Sequence, residues 1–369
     1  MEPGTRVRER YTIGRTIGFG GFGVTYIGYD DVLDQKVAIK EYLPGEFSTR
    51  MPGQTQVKVF NGEKTQQFHD GMKQFVDEAK RLAKFQNEKG IVKIFDSFEE
   101  NNTAYIVMEY LEGVTLTDYI KENGIIDENE AVEMLMPVME SLKKVHEVGL
   151  LHRDIAPDNI FLTNDGEVKL IDFGAARFAT TSHSRSLTVI IKPGFSPEEQ
   201  YRSRGDQGTY TDVYALAATL YKMMTGITPP DALERRAKYE IKSQDLLEPP
   251  RKLNKKISLV RDVAILNALN VRIEDRTPNV DSFIEELNAE TPAKRVYGKL
   301  KRIDLYRWPT WLKSGLAAIF AGIVLFGVLL ATGVIHFDSL FVKIVEVPAG
   351  MVIVPNVEGM KSDKAISKI

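Results

Sequence analysis

Asp154, Asn159 and Asp172 stand in loops between apolar runs at 149–151, 160–162 and 168–171. A carboxylate held at the edge of such a loop can accept the proton of a hydroxyl. An amide oxygen and a second carboxylate nearby can hold Mg²⁺. His152-Arg153 precedes Asp154, Asn159 follows it by five positions, and Asp172 opens the triplet Asp172-Phe173-Gly174. Apolar runs of that length, bounded by Asp, Asn and Gly, read as short strands or buried turns, so a rigid scaffold sets the three polar groups. Either triplet alone recurs by chance in Gly- and Asp-rich turns of unrelated folds. Both together, in this order and spacing, are far more selective.

Several stretches must position these groups. Residues 11–17 and 24–29 alternate as strands around Gly18-Phe19-Gly20-Gly21-Phe22-Gly23. Glycines there let main-chain N–H groups bend over phosphates without Cβ collisions. A lone motif of this kind could equally open a dinucleotide-binding helix, but strand-like Thr25-Tyr26-Ile27-Gly28-Tyr29 follows, which favours a hairpin. Val37-Ala38-Ile39-Lys40 is the next strand, and a Pro- and Gly-bearing stretch over 41–65 holds a strand-like piece at 57–60. A helix over about 69–85 carries apolar residues at Met72, Phe75, Val76, Ala79, Leu82 and Ala83, an amphipathic stripe that Glu78 borders, with Asp77 beside it. Strands are expected at 91–98 and 104–110, and helices at 116–121 and 128–148. Asp127 and Glu130 form a capping pair for the longer helix.

Over about residues 8–290 these motifs resemble the eukaryotic-type protein kinases. The resemblance implies an α+β, bilobal protein-kinase fold with a small β-rich N-lobe (about 8–110) and a larger helical C-lobe (about 111–290). It implies ATP and Mg²⁺, with Asp154 as the catalytic base, Asn159 and Asp172 as metal ligands, and Lys40 on the α/β-phosphates with Glu78 as its partner. Ile17, Gly18, Gly20, Gly21, Gly23 and Thr25 would cover the nucleotide, Thr25 standing where the family usually has Val. Met108 would guard the back of the pocket, and the Glu109 carbonyl and Leu111 N–H would hydrogen-bond adenine. Arg153 would pair with a phosphate on an activation loop whose hydroxyls, from Thr180 to Thr188, are candidates for trans-autophosphorylation. Glu199, with Glu198 as the alternative, would ion-pair with Arg276, and Asp212 would hold the catalytic-loop backbone.

Two departures from the family pattern matter. The connection after Lys40 is usually short, so 41–65 reads as an insertion. Ser/Thr kinases usually carry a lysine two residues after the catalytic Asp, and here Ala156 stands there. Where the family has Thr before Pro-Gly, this chain has Lys192, which could reach in as the replacement cation or face solvent as a loop lysine. Ala156 is also what keeps open a pseudokinase receptor, which binds nucleotide or partners without efficient catalysis. A small-molecule phosphotransferase fits less well with Asp172-Phe173-Gly174, Arg153 and the hydroxyl-rich loop.

The 369 residues carry a net charge of -3, so no global basic field points to nucleic acid, and with no cysteine there is no disulfide or thiolate chemistry. The five histidines show no metal-ligand spacing, and residues 1–12 are charged with no apolar core behind them, so no signal peptide is expected. Gly315–Ile335 runs 21 residues without a charge, long enough to cross a hydrocarbon core of roughly 30 Å. Lys294, Arg295, Lys299, Lys301, Arg302, Arg307 and Lys313 precede it, and no further cation appears until Lys343. The expected organisation is a kinase domain over 1–290 in the cytoplasm, a basic juxtamembrane segment over 291–313, one transmembrane helix over 314–335 and an extracellular segment over 336–369. Val354-Pro355-Asn356-Val357-Glu358-Gly359 and the following helix-like residues resemble the opening of a PASTA module, which stops early, as in a fragment of a longer chain. That resemblance implies a bacterial single-pass receptor that binds peptidoglycan fragments outside and acts on Ser/Thr protein substrates, with a homodimer as its active form.

Overall fold

A computed structural model describes residues 1–173, 191–202, 205–242 and 245–296, together with Leu325, Leu329 and Thr332. The chain divides into two units, Met1–Leu300 and Lys301–Ile369. In the second unit Leu325 and Leu329 are helical.

The first lobe is built on an antiparallel sheet. Its strands are β1 (Arg6–Val7), β2 (Tyr11–Gly20), β3 (Gly23–Asp30), β4 (Gln35–Tyr42), β7 (Ile94–Glu100) and β8 (Thr103–Glu109), ordered β1-β2-β3-β4-β8-β7. Side chains alternate across it. Val37, Ile39, Tyr105 and Val107 pack one face with Tyr11, while Ala38, Ala104, Ile106 and Met108 pack the other against Phe75, Val76 and Ala79 of helix α1 (Glu63–Leu82). Lys40 therefore shares the face of Ala38, toward the helix. The helix begins earlier than the apolar stripe indicates, directly after Gly62 at φ 85, because its polar first turns carry no periodic signal. Ile91 lies outside β7 and bridges Leu170 in the other lobe.

The insertion is a hairpin of β5 (Ser48–Arg50) and β6 (Val57–Val59). Its anchor is electrostatic. Arg50 pairs with both oxygens of Glu41, the residue after Lys40, and Glu41 is 0% exposed. Tyr26 Oη also donates to Glu41 at 2.9 Å. Leu43 N donates to Phe22 O at 2.9 Å, tying the start of the insertion to the glycine hairpin.

The second lobe opens with β9 (Gly113–Thr115), α2 (Leu116–Asn123) and α3 (Glu128–Glu147). Asp127 caps α3 by accepting from Asn129 N, and Ala131, Leu135, Val138, Leu142 and Val145 form its buried stripe. β10 (Ile160–Thr163) and β11 (Val168–Leu170) pair antiparallel and complete a small sheet with β9. Then follow α4 (Thr209–Thr225), α5 (Ala232–Lys242), α6 (Pro250–Leu253), α7 (Leu259–Ala268) and α8 (Val280–Asn288). α4 is buried along nearly its whole length, and most of the side chains it buries are apolar, with Asp212 near its start the charged exception.

The two lobes match the expected β-rich and helical halves. Among the described residues no helix is long and apolar enough to cross a membrane. Apart from Leu325, Leu329 and Thr332, the apolar run 315–335 lies outside the described residues, as do the loop 174–190 and the PASTA-like stretch 354–366.

Removing one partner from a buried ion pair costs about 3–5 kcal/mol, because the other charge stays buried without its counter-charge. Arg50→Ala is expected to destabilise the protein by that order, read as the shift in urea unfolding. A loss below about 1 kcal/mol, the scale of a surface pair, would show that the insertion is not held this way.

Candidate active site

A cleft of about 330 Å³ lies between the lobes, within the size range of small-molecule sites. Its roof is Gly18, Gly20, Gly21, Gly23 and Thr25. Gly23 has a specific reason to be glycine: a Cβ there would lie 1.8 Å from Glu41 O. Thr25 stands directly opposite Lys40 in the β3–β4 register. Phe75, Leu82, Ile106 and Met108 close the back, and Asp154, Asn159 and Asp172 form the floor.

The floor is held from below. Asp212, 0% exposed near the start of α4, accepts from His152 N at 2.8 Å and Arg153 N at 2.7 Å, and its Oδ2 is 2.8 Å from His146 Nε2. Gln200 Nε2 donates to Arg153 O at 2.6 Å. These bonds hold Arg153 at φ 69, a left-handed conformation rare for a residue with a side chain. His152 Nε2 lies 3.0 Å from Ile171 O, and its Nδ1 accepts from Asp154 N at 3.2 Å, the pattern of a neutral ring protonated at Nε2. Burial pushes the His152 pKa below its usual value, which agrees with that pattern. Its ring also packs edge-on against Phe173, with centroids 4.4 Å apart.

Asn159 Nδ2 donates to Asp154 O and Asp154 Oδ2, both at 2.7 Å, so the amide fixes the direction of the carboxylate. Burial raises the Asp154 pKa above the ordinary carboxylate value, opposed chiefly by the charge of Lys192. Asp172, at φ 60, turns its carboxylate to Lys40, with Nζ 2.7 Å from Oδ1. The Lys40 charge, working against burial, holds the Asp172 carboxyl below its usual pKa. Mg²⁺ prefers oxygen ligands and keeps several positions for water and phosphate. Asn159 commits its nitrogens' side of the amide to Asp154, which leaves its oxygen as the acceptor, and Asp172 adds a carboxylate. The pair fits such an ion.

Other expected residues are placed as follows. Lys40 pairs with Asp172 rather than with Glu78: the left-handed backbone at Asp172 brings its carboxylate up to β4. Glu78, 6% exposed, stays on the buried face of α1 and lines the same cleft. Ile17, Glu109 and Leu111 fall outside the cleft lining. Ile17 is 40% exposed on β2. Glu109 ends β8, and its carboxylate accepts from Lys93 N at 2.7 Å and from Lys169 Nζ at 2.9 and 3.0 Å. Of the two candidate glutamates, Glu199 reaches Arg276, at 2.6 and 3.2 Å, while Glu198 pairs with Arg202 and Arg236.

Lys192 Nζ lies 3.2 Å from Asp154 Oδ1 and 2.9 Å from Asp158 Oδ1. Sequence reasoning passed over Asp158, whose only signal is its place beside Asn159. It also passed over Lys169, which is 2% exposed and hidden between Val168 and Leu170.

A sequence profile for the protein kinase domain matches residues 11–299. The chain is 33% identical over 288 residues to a probable serine/threonine-protein kinase of Clostridium acetobutylicum, covering 77% of this chain and 40% of that protein. It is 33% identical over 230 residues to the serine/threonine-protein kinase PrkC of Bacillus subtilis, covering 62% and 32%. With the serine/threonine-protein kinase PknL of Mycobacterium tuberculosis it shares 31% over 237 residues, covering 62% and 54%. The chain thus spans about a third to a half of the length of these relatives. Among solved structures, the apo form of PpkA-294 matches with a TM-score of 0.66 at 31% identity, covering 78% of this chain and 99% of that one. Rad53 1-466 in complex with AMP-PNP matches at 0.55 and 21% identity, covering 76% and 64%, a likeness of fold alone.

Asp212→Ala strands the buried N–H groups of His152 and Arg153, at about 1–3 kcal/mol for each donor left unsatisfied. A loss of about 3 kcal/mol in urea unfolding is expected, and a smaller one for Asp212→Asn, which keeps an acceptor. Equal stability of Asp212→Ala and wild type would remove Asp212 as the support of the loop.

Proposed function

This chain belongs to the protein kinase family, and we propose that it is an ATP- and Mg²⁺-dependent serine/threonine protein kinase anchored in the cell membrane by one helix. The observation that carries the reading is that Lys40, Asp154, Asn159 and Asp172 line one cleft beneath the glycine hairpin. Its relatives named above are serine/threonine-protein kinases, which supports that specificity.

The chemistry follows from these residues. The glycine hairpin covers the phosphates with main-chain N–H groups, and Lys40 supplies a positive charge beside them. Asn159 and Asp172 would hold Mg²⁺, which when bound neutralises charge on the β- and γ-phosphoryl oxygens. Asp154, aimed by the Asn159 amide, positions the substrate hydroxyl and accepts its proton. The bond from the γ-phosphorus to the leaving ADP oxygen breaks as the bond to the substrate oxygen forms, with no covalent enzyme intermediate.

The apolar run 315–335 with cations before it supports a single span with the kinase domain in the cytoplasm. The hydroxyls from Thr180 to Thr188 are the proposed sites of trans-autophosphorylation within a homodimer. The Val354-Pro355-Asn356-Val357 stretch supports a receptor that senses peptidoglycan fragments and relays an envelope signal. The competing reading, a receptor that binds nucleotide without efficient chemistry, rests on Ala156.

The full chain incubated with ATP and Mg²⁺ should phosphorylate itself, with sites mapped by mass spectrometry. Asp154→Ala should lower turnover by about 10²–10⁴-fold, and chelation of Mg²⁺ should abolish it. Asp154 must be ionised to accept a proton and its pKa is raised by burial, so activity should fall with acidity at a pH above the ordinary carboxylate range of about 4. Undiminished transfer by Asp154→Ala would sink the assignment.

A further inference from the structure

The catalytic loop carries Ala156, 1% exposed, two residues after Asp154, and no cation reaches the base from there. A cation nevertheless stands against it. Lys192 Nζ lies within 3.2 Å of Asp154 Oδ1 and 2.9 Å of Asp158 Oδ1. The Lys192 side chain is 21% exposed and that of Asp154 is 9% exposed, so the first contact is shielded from water.

The backbone that carries Lys192 is fixed in three ways. Lys192 N donates to Ser196 Oγ at 3.0 Å, and Lys192 O accepts from Phe195 N and Ser196 N, both at 2.9 Å. Gly194 sits at φ 86, where a Cβ would lie 2.5 Å from Pro229 O. Farther along the same turn, Gln200 grips the catalytic-loop carbonyl of Arg153 while Glu199 is buried against Arg276. The turn is therefore fastened both to the helical lobe and to the loop that bears the base. A lysine carried there is placed, unlike a solvent-facing loop lysine.

We propose that Lys192 is a catalytic residue whose ammonium takes the place of the missing catalytic-loop cation, with Asp158 as its second anchor. It faces the phosphoryl group as that group passes from ATP to the hydroxyl held at Asp154. This rests on the kinase reading above. The transfer itself is unchanged: the hydroxyl proton goes to Asp154, and Lys192 keeps its protons and forms no covalent bond. Its effect is charge stabilisation in the transition state.

The test uses the full chain with ATP, Mg²⁺ and dephosphorylated casein as the probe substrate. Lys192→Met should lower kcat by about 10²-fold or more while KM for ATP moves less than about threefold, and Lys192→Arg should retain activity within about tenfold of wild type. Moving the cation back, with Ala156→Lys added to Lys192→Thr, should recover at least about tenfold over Lys192→Thr alone. Near-wild-type kcat in Lys192→Met overturns the proposal, as does a loss with no recovery in the double variant. A wild-type chain that transfers no phosphate overturns the kinase reading itself, so the two failures are told apart.

Discussion

The carboxylate of Asp154 is largely out of water, and the rest of the cleft is arranged around that fact. An ionised carboxylate loses hydration on burial, and the loss must be offset by charge or by hydrogen bonds. Asn159 offers an amide N–H to one oxygen and Lys192 an ammonium to the other. Neither could do so if the loop moved, and so the loop is fixed in turn. Asp212 takes its backbone N–H groups, Gln200 takes a carbonyl, and neutral His152 fills the space beneath, bonded to the backbone on both sides. Each support is a buried polar group that is itself satisfied, the condition under which such a network adds rigidity.

The lobes meet through a few polar contacts and through an apolar cluster in which Val145 and Leu150 of the second lobe pack with the sheet and α1 of the first. Lys40 on β4 closes on Asp172, Glu109 at the end of β8 closes on Lys169 of β11, and Ile91 bridges Leu170. The residue after Lys40 serves the N-lobe itself: Glu41 faces inward to Arg50, so one strand sends adjacent side chains to two separate ion pairs. Strand alternation makes this possible, since Lys40 and Glu41 necessarily point to opposite faces. The insertion thereby joins the lysine strand, and through Leu43 the glycine hairpin, instead of hanging from the sheet edge.

Much of this was legible in the sequence, for physical reasons. Period-two and period-3.6 apolar patterns placed the sheet and the long helices, and α3 lies close to its expected span because Asp127 caps it and its stripe is unbroken. The floor residues could be read because short loops between buried strands leave little freedom. Polar pairs made by residues far apart in the chain could not be read from periodicity, and Glu199–Arg276 was legible only through the family resemblance. Lys169 sits between two apolar residues like any strand position, and only the fold brings Glu109 to it. Helix periodicity likewise says which face Glu78 borders but not which carboxylate stands nearest the Lys40 ammonium, which in this structure is that of Asp172. The start of α1 was misplaced because its first turns are polar.

The Asp212 support has a consequence for biosynthesis. Chains emerge from the ribosome N-terminus first, and domains fold as their parts become available. Lys40, Asp154, Asn159 and Asp172 have all been synthesised before the residue that locks the catalytic loop, which comes about forty positions after the last of them. A nascent chain long enough to hold every group of the cleft thus still has a loose base. Until Asp212 has emerged, the N–H groups of His152 and Arg153 lack the acceptor that fixes the loop.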